Sequence, residues 1–341
     1  MTRIAPYASQ HESPQGPGDS RPTALQIIED QNLVGDPSWA QRVVLITGCS
    51  PGGLGPDTAK AMHATGADVY IAVRDLAKGK QVAEEIMSDG KPGKVEVIEL
   101  DLASLKSVRA GASEFLRRSG GKLNILINNA GIMACPEGKT EDGFETQFGT
   151  NHLGHFLLFQ LLKDALLASA TPSFNSRVIV LASGAHRNGE IDFDDLNFEK
   201  TDYVPIVGYR NSKLANVLFA NELDRRFKSR NLRAFSVHPG GILTPLAKHI
   251  GSLDYIYEDK TMYANMKNLA QGAATTVWAA VAKELEGKGG LYLDEVSEGW
   301  LTPEDAAYYL GGYAPQAFDP PTEGKLWEIS LQLVGLPDSS D

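Results

Sequence analysis

The stretch that decides the fold is RVVLITGCSPGGLGPD, residues 42–57. It starts with a run of aliphatic and β-branched residues, Arg42–Thr47, that predicts a buried strand. Glycines in the following turn let the backbone bend tightly, and Pro56 and Asp57 suit the first positions of a helix. Backbone N–H groups and the positive end of the helix dipole would then face one point, an arrangement that binds a pyrophosphate. An ordinary strand-to-helix turn has the same pattern, so the neighbouring segments must decide between the two.

Outward from this segment, short β-rich runs alternate with helical stretches. The predicted strands are Arg42–Thr47, Ala67–Val73, Val95–Leu100, Ile125–Asn128, Arg177–Leu181 and Ala234–His238. The predicted helices are Asp57–Thr65, Leu76–Ser88, Leu105–Arg118, Phe144–Ala168 and Tyr209–Ser229. Nearly continuous apolar strands that alternate with helices indicate a parallel sheet covered on both faces. We therefore expect an α/β fold, a single doubly wound Rossmann-type domain over residues 25–341.

Two segments do not follow this alternation. Residues 1–24 are rich in Pro, Gly, Ser and Gln and lack apolar periodicity, which predicts a flexible leader outside the core. Residues 244–268 mix glycine, tyrosine, methionine and charged residues without a strand pattern. A loop of that length in a compact domain is usually functional, so we expect a substrate lid there, followed by a helix near Leu269–Leu285.

The composition limits the class of protein. Of the 341 residues, 42% are hydrophobic and 22% charged, as in globular proteins. The 43 acidic and 32 basic side chains give a net charge of −11, which disfavours nucleic acid and anionic membranes as partners. No apolar run approaches the roughly 18 residues that span a bilayer, and the N-terminus lacks a signal-peptide pattern. Cys49 and Cys135 form no spaced framework, so we expect a cytoplasmic protein with reduced thiols.

The end of the second predicted strand bears on the choice of nucleotide. Sites for a free ribose usually carry a carboxylate there, about 20 residues after the glycine turn. This position holds Val73. Arg74 follows and can bind a 2′-phosphate through its planar donor fork, with Lys78 as a second positive charge. Asp75 lies further along the chain yet could still reach a ribose, so NADP(H) is the expected cofactor and NAD(H) the less favoured one.

Two later strands end in residues suited to a ligand site. The apolar strand Ile125–Asn128 runs into Asn129, Ala130 and Gly131, amide and small residues that can line a flat ring. Another strand leads to Ser183, at the carboxyl edge where open α/β sheets bind ligands.

A tyrosine and a lysine provide candidate acid and base groups. Tyr209 and Lys213 are four positions apart, which places both side chains on one face of a helix. An ammonium beside a phenol favours the phenolate, so the tyrosine can donate or accept a proton near neutral pH. Ser183 would hydrogen-bond the substrate oxygen as charge develops on it. The same spacing occurs on many helices, so the pair gains its meaning from the segments around it.

In this order, Thr47–Gly55, Asn128–Gly131, Ser183, Tyr209 with Lys213, and Pro239–Gly240 resemble the short-chain dehydrogenase/reductase family over roughly residues 40–285. Stretches at 70–78, 150–158, 185–200 and 212–219 look closer to its retinol-dehydrogenase-like branch, which mostly uses NADP(H). The resemblance implies a catalytic set of Ser183, Tyr209, Lys213 and Asn151. It also implies that the cofactor is bound by Gly48, Ser50, Gly53, Leu54, Gly55, Arg74, Lys78, Asp101, Leu102, Asn129, Ala130, Gly131, Tyr209, Lys213, Pro239, Gly240, Ile242 and Thr244.

The resemblance also implies roles for some of these residues. Asn151 would hold a water that links Lys213 to solvent, and Lys213 would also bind the nicotinamide ribose. Asp101 and Leu102 would contact adenine, and Asn129 would lie beside the adenosine ribose. The segment that ends at Thr244 would pack on the nicotinamide.

The glycine turn departs from the family pattern. Three residues usually separate its first two glycines, whereas Gly48 and Gly53 enclose four. Either Gly52 takes the place of the middle glycine and a bulge follows, or the loop is one residue longer.

Together these features predict an oxidoreductase that transfers a hydride between NADP(H) and a small alcohol or carbonyl substrate. The tyrosines and methionines of the lid suggest an apolar, polycyclic or polyketide-like molecule. The alternative is an NADP(H)-binding sensor or scaffold without turnover, which the intact Tyr209 and Lys213 disfavour. No metal is expected, because His152, His155 and His186 lack a matching carboxylate or cysteine cluster. The oligomeric state stays open, with a homodimer as one option.

Overall fold

One large sheet organises the residues that this computed structural model describes, 3–304, 306–307 and 309–337. Its strands are β1 (Val43–Thr47), β2 (Asp68–Val73), β3 (Val95–Glu99), β4 (Ile125–Asn128), β5 (Ser176–Leu181), β6 (Leu232–Val237), β9 (Leu291–Asp294) and β10 (Ser297–Glu298). A separate two-stranded sheet pairs β7 (Gly241–Ile242) with β8 (Met266–Lys267). The order across the large sheet is β10-β9-β6-β5-β4-β1-β2-β3, and its pairs are parallel except for β9 with β10.

This order confirms the predicted doubly wound α/β fold. The six predicted strands are all present, with bounds shifted by no more than two residues at either end. From β1 the sheet extends through β2 and β3 on one side and through β4, β5 and β6 on the other. Such a reversal opens a crevice at the carboxyl ends of β1 and β4, where folds of this kind bind ligands.

Helices cover both faces of the sheet. They are α1 (Ala8–His11), α2 (Ala24–Asp30), α3 (Leu54–Ala64), α4 (Leu76–Met87), α5 (Leu105–Ser119), α6 (Thr146–Phe148), α7 (Gly154–Ser169), α8 (Pro205–Phe227), α9 (Asp254–Glu258), α10 (Lys260–Asn265), α11 (Leu269–Gly272), α12 (Ala274–Val281) and α13 (Pro320–Leu333). A π-helical turn, Gly149–Leu153, joins α6 to α7. Val44 and Ile46 of β1 pack with α2, α3 and α12, whereas Val43 and Leu45 pack with α5, α7 and α8. Successive side chains of β1 point to opposite faces of the sheet, so one strand contributes to the hydrophobic core on each face.

The N-terminal residues differ from the flexible leader expected for residues 1–24. Tyr7 is buried and its hydroxyl donates a hydrogen bond to Asp30 at 2.7 Å. The carbonyl of Ile4 accepts a hydrogen bond from the Glu298 backbone at 2.8 Å. Residues 3–24 thus lie against the domain, held by isolated anchors that composition and periodicity do not reveal. Residues 1 and 2 lie outside the described part of the chain.

The C-terminal part contains elements that the sequence did not predict. Strand β9 extends the sheet next to β6, and α13 packs on α8. Trp327 of α13 is 2% exposed, and its ring centroid lies 5.1 Å from that of Phe156. Residues 338–341 of the predicted domain lie outside the described residues. Within the described ranges, no helix has the length and apolarity needed to cross a membrane.

Replacing the buried tryptophan tests whether α13 belongs to the core. Trp327→Ala should lower the free energy of unfolding by about 3–5 kcal/mol, the usual range for a large aromatic side chain removed from a core. Urea unfolding followed by circular dichroism measures this change. Glu328→Ala, at an exposed position of the same helix, should change it by less than about 0.5 kcal/mol. Equal small effects would mean that α13 does not stabilise the fold.

Candidate active site

The glycine turn after β1 presents bare backbone at the start of α3. Gly48 has φ +76°, and a Cβ there would lie 2.6 Å from the Ala130 Cα. A Cβ on Gly55 would lie 2.6 Å from the Gly48 carbonyl oxygen. Gly53 is the N-cap of α3, and in the described residues no side chain caps this helix. The N–H groups of its first turn are therefore available to an anion, so the turn fits the pyrophosphate of a dinucleotide.

The structure favours the longer of the two loop alternatives. Helix α3 begins at Leu54, directly after Gly53, so Gly53, Leu54 and Gly55 form the helix start. Gly52 precedes them with φ +77°, a conformation that favours glycine, and a Cβ on Gly52 would lie 3.5 Å from Pro245 Cγ. The additional residue therefore lies in the turn before the helix, and Ser50 lies in the same turn.

Asp75, the residue that could compete for a ribose, is occupied by its own helix. Its carboxylate caps α4 by accepting hydrogen bonds from the backbone of Ala77 at 3.0 Å and of Lys78 at 3.2 Å. The hydrogen bond from the Lys78 backbone is the main cause that holds the pKa of Asp75 below its usual range. The Lys78 ammonium lies 3.6 Å from this carboxylate. The exposed Arg74 guanidinium has no hydrogen bond or ion pair with any described residue, so it is available to a ligand.

Tyr209 and Lys213 lie one turn apart on α8 and are both buried, as their spacing predicts. The Lys213 Nζ is 5.7 Å from the centroid of the Tyr209 ring. It donates a hydrogen bond to the Leu181 carbonyl at 3.0 Å, and the Asn216 amide donates to the same oxygen at 3.0 Å. Burial lowers the pKa of Lys213 to about 8. A charge that burial disfavours is thus held close to the aromatic ring of Tyr209.

Ser183 follows the end of β5 by two residues. Leu181, the acceptor for Lys213, is the last residue of β5, so Ser183 and Lys213 are tied to the same strand end. The Ser183 hydroxyl accepts a hydrogen bond from the Ala185 backbone at 3.2 Å and caps the short 3-10 turn Gly184–Asn188. Sheet and helix thereby bring the predicted catalytic residues to one edge.

Asn151 lies in the π-helical turn and bonds the segment that follows β4. Its Oδ1 accepts from the Ile132 N–H at 2.9 Å, and its Nδ2 donates to the Ile132 carbonyl at 3.0 Å. The Nδ2 also donates to Ser212 Oγ at 2.9 Å, next to Lys213 on α8. A Cβ on Gly131 would lie 3.4 Å from Asn151 Oδ1 and 3.5 Å from Lys213 Nζ. Asn151 therefore lies close to Lys213, in a π-helical turn of the kind that is frequent at functional sites.

Sequence reasoning missed a link formed by Thr47 and His155. His155 Nδ1 lies 2.9 Å from the Asn151 carbonyl, which can only accept, so Nδ1 carries the proton. The Thr47 hydroxyl then donates to His155 Nε2 at 2.8 Å and accepts from the backbone of Asn129 and Ala130, both at 3.0 Å. Burial lowers the pKa of His155 to about 4, which keeps it neutral. The sequence analysis considers His155 only as a possible metal ligand, because a sequence does not indicate the partners of a buried histidine.

The remaining predicted cofactor residues lie along the same carboxyl edge. Asp101 and Leu102 follow β3, and the Asp101 carboxylate accepts from the Ala103 backbone at 3.0 Å. The Asn129 amide donates to the Thr47 carbonyl at 2.7 Å.

The segment from Pro239 to Thr244 leaves β6 at this edge. Ile242 of β7 packs on Gly272 together with Leu54 of α3, since a Cβ on Gly272 would lie 2.7 Å from Ile242 and 2.9 Å from Leu54. The segment thus reaches the start of the helix that follows the glycine turn. Within the described residues, no group of three histidines, cysteines or acidic residues is arranged to hold a metal ion.

Comparison with known proteins places this arrangement in a family. The family model for short chain dehydrogenases matches residues 42–253, and the chain belongs to that family. The short-chain dehydrogenase/reductase prx1 of Penicillium roqueforti is 45% identical over 340 residues, covering 97% of this chain and 96% of the relative. Retinol dehydrogenase 12 of Mus musculus is 41% identical over 295 residues, covering 86% of this chain and 87% of the relative. A crystal structure of a protein from Mycobacterium paratuberculosis matches with a TM-score of 0.67 at 36% identity, covering 88% of this chain and 96% of that one.

Membership defines the general activity and cofactor class. Short-chain dehydrogenases are oxidoreductases that bind nicotinamide dinucleotides. The residues described above fit such a group, because the bare glycine turn, the uncapped start of α3 and the exposed Arg74 provide donors for its phosphates.

The buried ammonium predicts a pH-dependent stability. The pKa of Lys213 is lower in the folded protein than in the unfolded chain, so its charge costs stability below about pH 8, and this cost vanishes as the pH rises toward about 10.4. Lys213→Met should therefore unfold at a higher temperature than the wild type at pH 7, and the difference should shrink above pH 8. The Leu181 carbonyl keeps Asn216 as its donor in this variant.

Calorimetry of the ligand-free protein between pH 6 and 10 measures this difference. Lys228→Met replaces an exposed lysine just after the same helix and should show no such trend. A constant difference between Lys213→Met and the wild type across this range would contradict the lowered pKa.

Proposed function

We propose that the protein is an NADP(H)-dependent oxidoreductase that interconverts an alcohol and a carbonyl on an apolar substrate. The observation that carries this proposal is the buried pair of Tyr209 and Lys213, one helical turn apart at the carboxyl edge of the sheet. In a buried site the positive charge of the ammonium acts strongly on the neighbouring phenol. It favours the phenolate, so the tyrosine can donate and accept a proton.

Each residue of the site has its own role in the proposed reaction. A bound nicotinamide supplies or accepts the hydride. Tyr209 gives its hydroxyl proton to the substrate oxygen during reduction and takes it back during oxidation. Lys213 stabilises the phenolate that remains, and the Ser183 hydroxyl donates a hydrogen bond to the substrate oxygen as negative charge develops. Asn151 keeps the segment after β4 and the helix of Tyr209 at a fixed distance through Ile132 and Ser212.

The proposed preference for NADP(H) rests on the end of β2. Val73 is buried where a ribose-binding carboxylate would stand, and Asp75 is engaged as a helix cap. Arg74 has an exposed guanidinium beside the start of α4. A planar guanidinium binds a 2′-phosphate with two parallel hydrogen bonds, whereas a free ribose offers it no charge.

The proposed substrate is an apolar alcohol or its carbonyl counterpart. The lid consists of α9, α10 and their flanks over residues 244–268, and it carries Ile256, Met262 and Met266 with at least partly buried side chains. Flexible thioethers and aliphatic groups adapt to apolar molecules of varied shape. The name of the related retinol dehydrogenase 12 also specifies an apolar alcohol.

Nucleotide titration tests the cofactor preference. Arg74→Ala should weaken NADPH binding by about 1.5–3 kcal/mol, the range for a hydrogen bond to a charged group, while NADH binding stays nearly constant. Nicotinamide fluorescence measures both affinities. Lys80→Ala removes another exposed cation of α4 and should leave the ratio of the two affinities unchanged. A wild type that binds both nucleotides equally would contradict the preference.

Removing one hydroxyl tests the catalytic assignment. Tyr209→Phe should reduce turnover by about 10²-fold or more, because general acid catalysis commonly contributes that much, and should retain NADPH binding. The assay follows NADPH oxidation with a panel that includes retinal, polycyclic ketones and small polar ketones. Tyr70→Phe deletes a phenol that bonds Arg118 at a distance from the site and should keep full turnover. Nucleotide binding without any turnover by the wild type would instead support a sensor or scaffold.

A further inference from the structure

Arg21 of the N-terminal segment binds the end of the lid. Its side chain is buried at 3% exposure, and its guanidinium donates to three successive carbonyls. The distances are 3.3 Å to Ala264, 3.1 Å to Asn265 and 2.5 Å to Met266. A fourth bond, 3.2 Å long, reaches the carbonyl of Gly16 in its own segment. One side chain therefore fixes the backbone at the junction between α10 and β8, near the end of the lid.

Neighbouring residues hold this guanidinium in place. The Asp19 carboxylate accepts from Arg21 Nε at 2.9 Å and from Gln271 Nε2 at 3.0 Å. The Gly18 backbone donates to Gln271 Oε1 at 2.9 Å. A buried cation with a carboxylate and several carbonyls is well compensated, so the contact is specific rather than incidental. The N-terminal segment is thus joined both to the lid and to α11, which begins three residues after Met266.

A second contact joins the same segment to the turn beyond β6. The Lys267 side chain lies across this turn, because a Cβ on Gly240 would be 2.9 Å from its Nζ. Lys267 Nζ pairs with Glu295 at 2.8 Å, and the other Glu295 oxygen lies 3.1 Å from His11 Nε2. Since β8 pairs with β7, both contacts act on the two-stranded sheet that connects the lid to the segment 239–244.

We propose that Arg21 is a positioning residue for the substrate lid. Residues 3–23 form an N-terminal strap that fixes the end of the lid at residues 264–266. Arg21 touches no reacting atom; it acts by keeping β8 in register with β7. The effect on substrate binding rests on the proposed oxidoreductase function, whereas the effect on the lid itself does not.

Limited proteolysis tests the lid without any substrate. Trypsin should cut full-length Arg21→Ala after the exposed Lys248 and Lys260 about tenfold faster than wild type, because local opening governs such cleavage. Mass spectrometry identifies the cut sites. Arg3→Ala removes an arginine of the same strap that packs on Trp300 and should leave these rates unchanged. Unchanged cleavage in Arg21→Ala, or equal acceleration in Arg3→Ala, would overturn the proposal.

Two milder variants test the same contact in case Arg21→Ala does not fold. Arg21→Lys keeps the charge but cannot reach three carbonyls at once, and Asp19→Asn keeps the shape but removes the carboxylate charge beside Arg21. Both should keep the wild-type melting temperature to within about 5 °C and give intermediate cleavage rates at Lys248 and Lys260. Wild-type rates in both variants would overturn the role of the guanidinium.

Steady-state kinetics then separates positioning from general damage. Arg21→Ala should raise the KM for the carbonyl substrate about tenfold and change kcat less than about twofold, since the lid contributes to substrate binding. A purely structural role would lower kcat through a smaller active fraction at constant KM, and that result would overturn the proposal. Absence of turnover in the wild type would contradict the proposed function only. The proteolysis experiment needs no substrate, so its result on the lid would remain valid.

Discussion

The burial of one ammonium group is the constraint on which the site depends. A buried lysine charge requires hydrogen-bond acceptors, and Lys213 uses the carbonyl that ends β5. Asn216, one turn further along α8, donates to the same oxygen. The carbonyl that ends β5 therefore accepts two side-chain hydrogen bonds from α8, one of them from the buried charge. Ser183 follows that strand end by two residues and Tyr209 precedes Lys213 by one helical turn, so both lie next to this contact.

Side chains that bond to backbone groups tie the other strand ends together. Asn151 satisfies both the N–H and the carbonyl of Ile132 after β4, and Thr47 at the end of β1 accepts from two N–H groups of the same segment. His155 connects Thr47 to the carbonyl of Asn151. A site on rigid elements, held by such bonds, keeps its groups within the narrow geometric range that proton and hydride transfer require.

The sequence predicted those parts of the molecule whose determinants are local. The strands β1 to β6 follow from apolar runs, and the pair of Tyr209 and Lys213 follows from helical spacing, because each depends on residues within a few positions. The sequence leaves two alternatives for the glycine loop, because the choice between them depends on the residue at which α3 begins. Strand β9, helix α13 and the N-terminal strap were not identified. Each has a short or weak pattern of its own and is stabilised by distant residues, such as Asp30 for Tyr7 and the lid carbonyls for Arg21.

The division between local and distant determinants coincides with a division of roles. The family model spans residues 42–253, which include the glycine turn, Asn151, Ser183, Tyr209 and Lys213. Arg21, Lys267 and Glu295, which hold the end of the lid and the turn at Gly240, all lie outside that range. Hydride and proton transfer demand one geometry whatever the substrate, so the groups that perform them can be built into a common core. In the proposed function the segment 244–268 meets the substrate, and Arg21, which binds the carbonyls at its end, lies outside this core. If the strap positions the lid as we propose, the contacts of the lid depend on residues that touch no reacting atom, so they can change without disturbing the buried charge at Lys213.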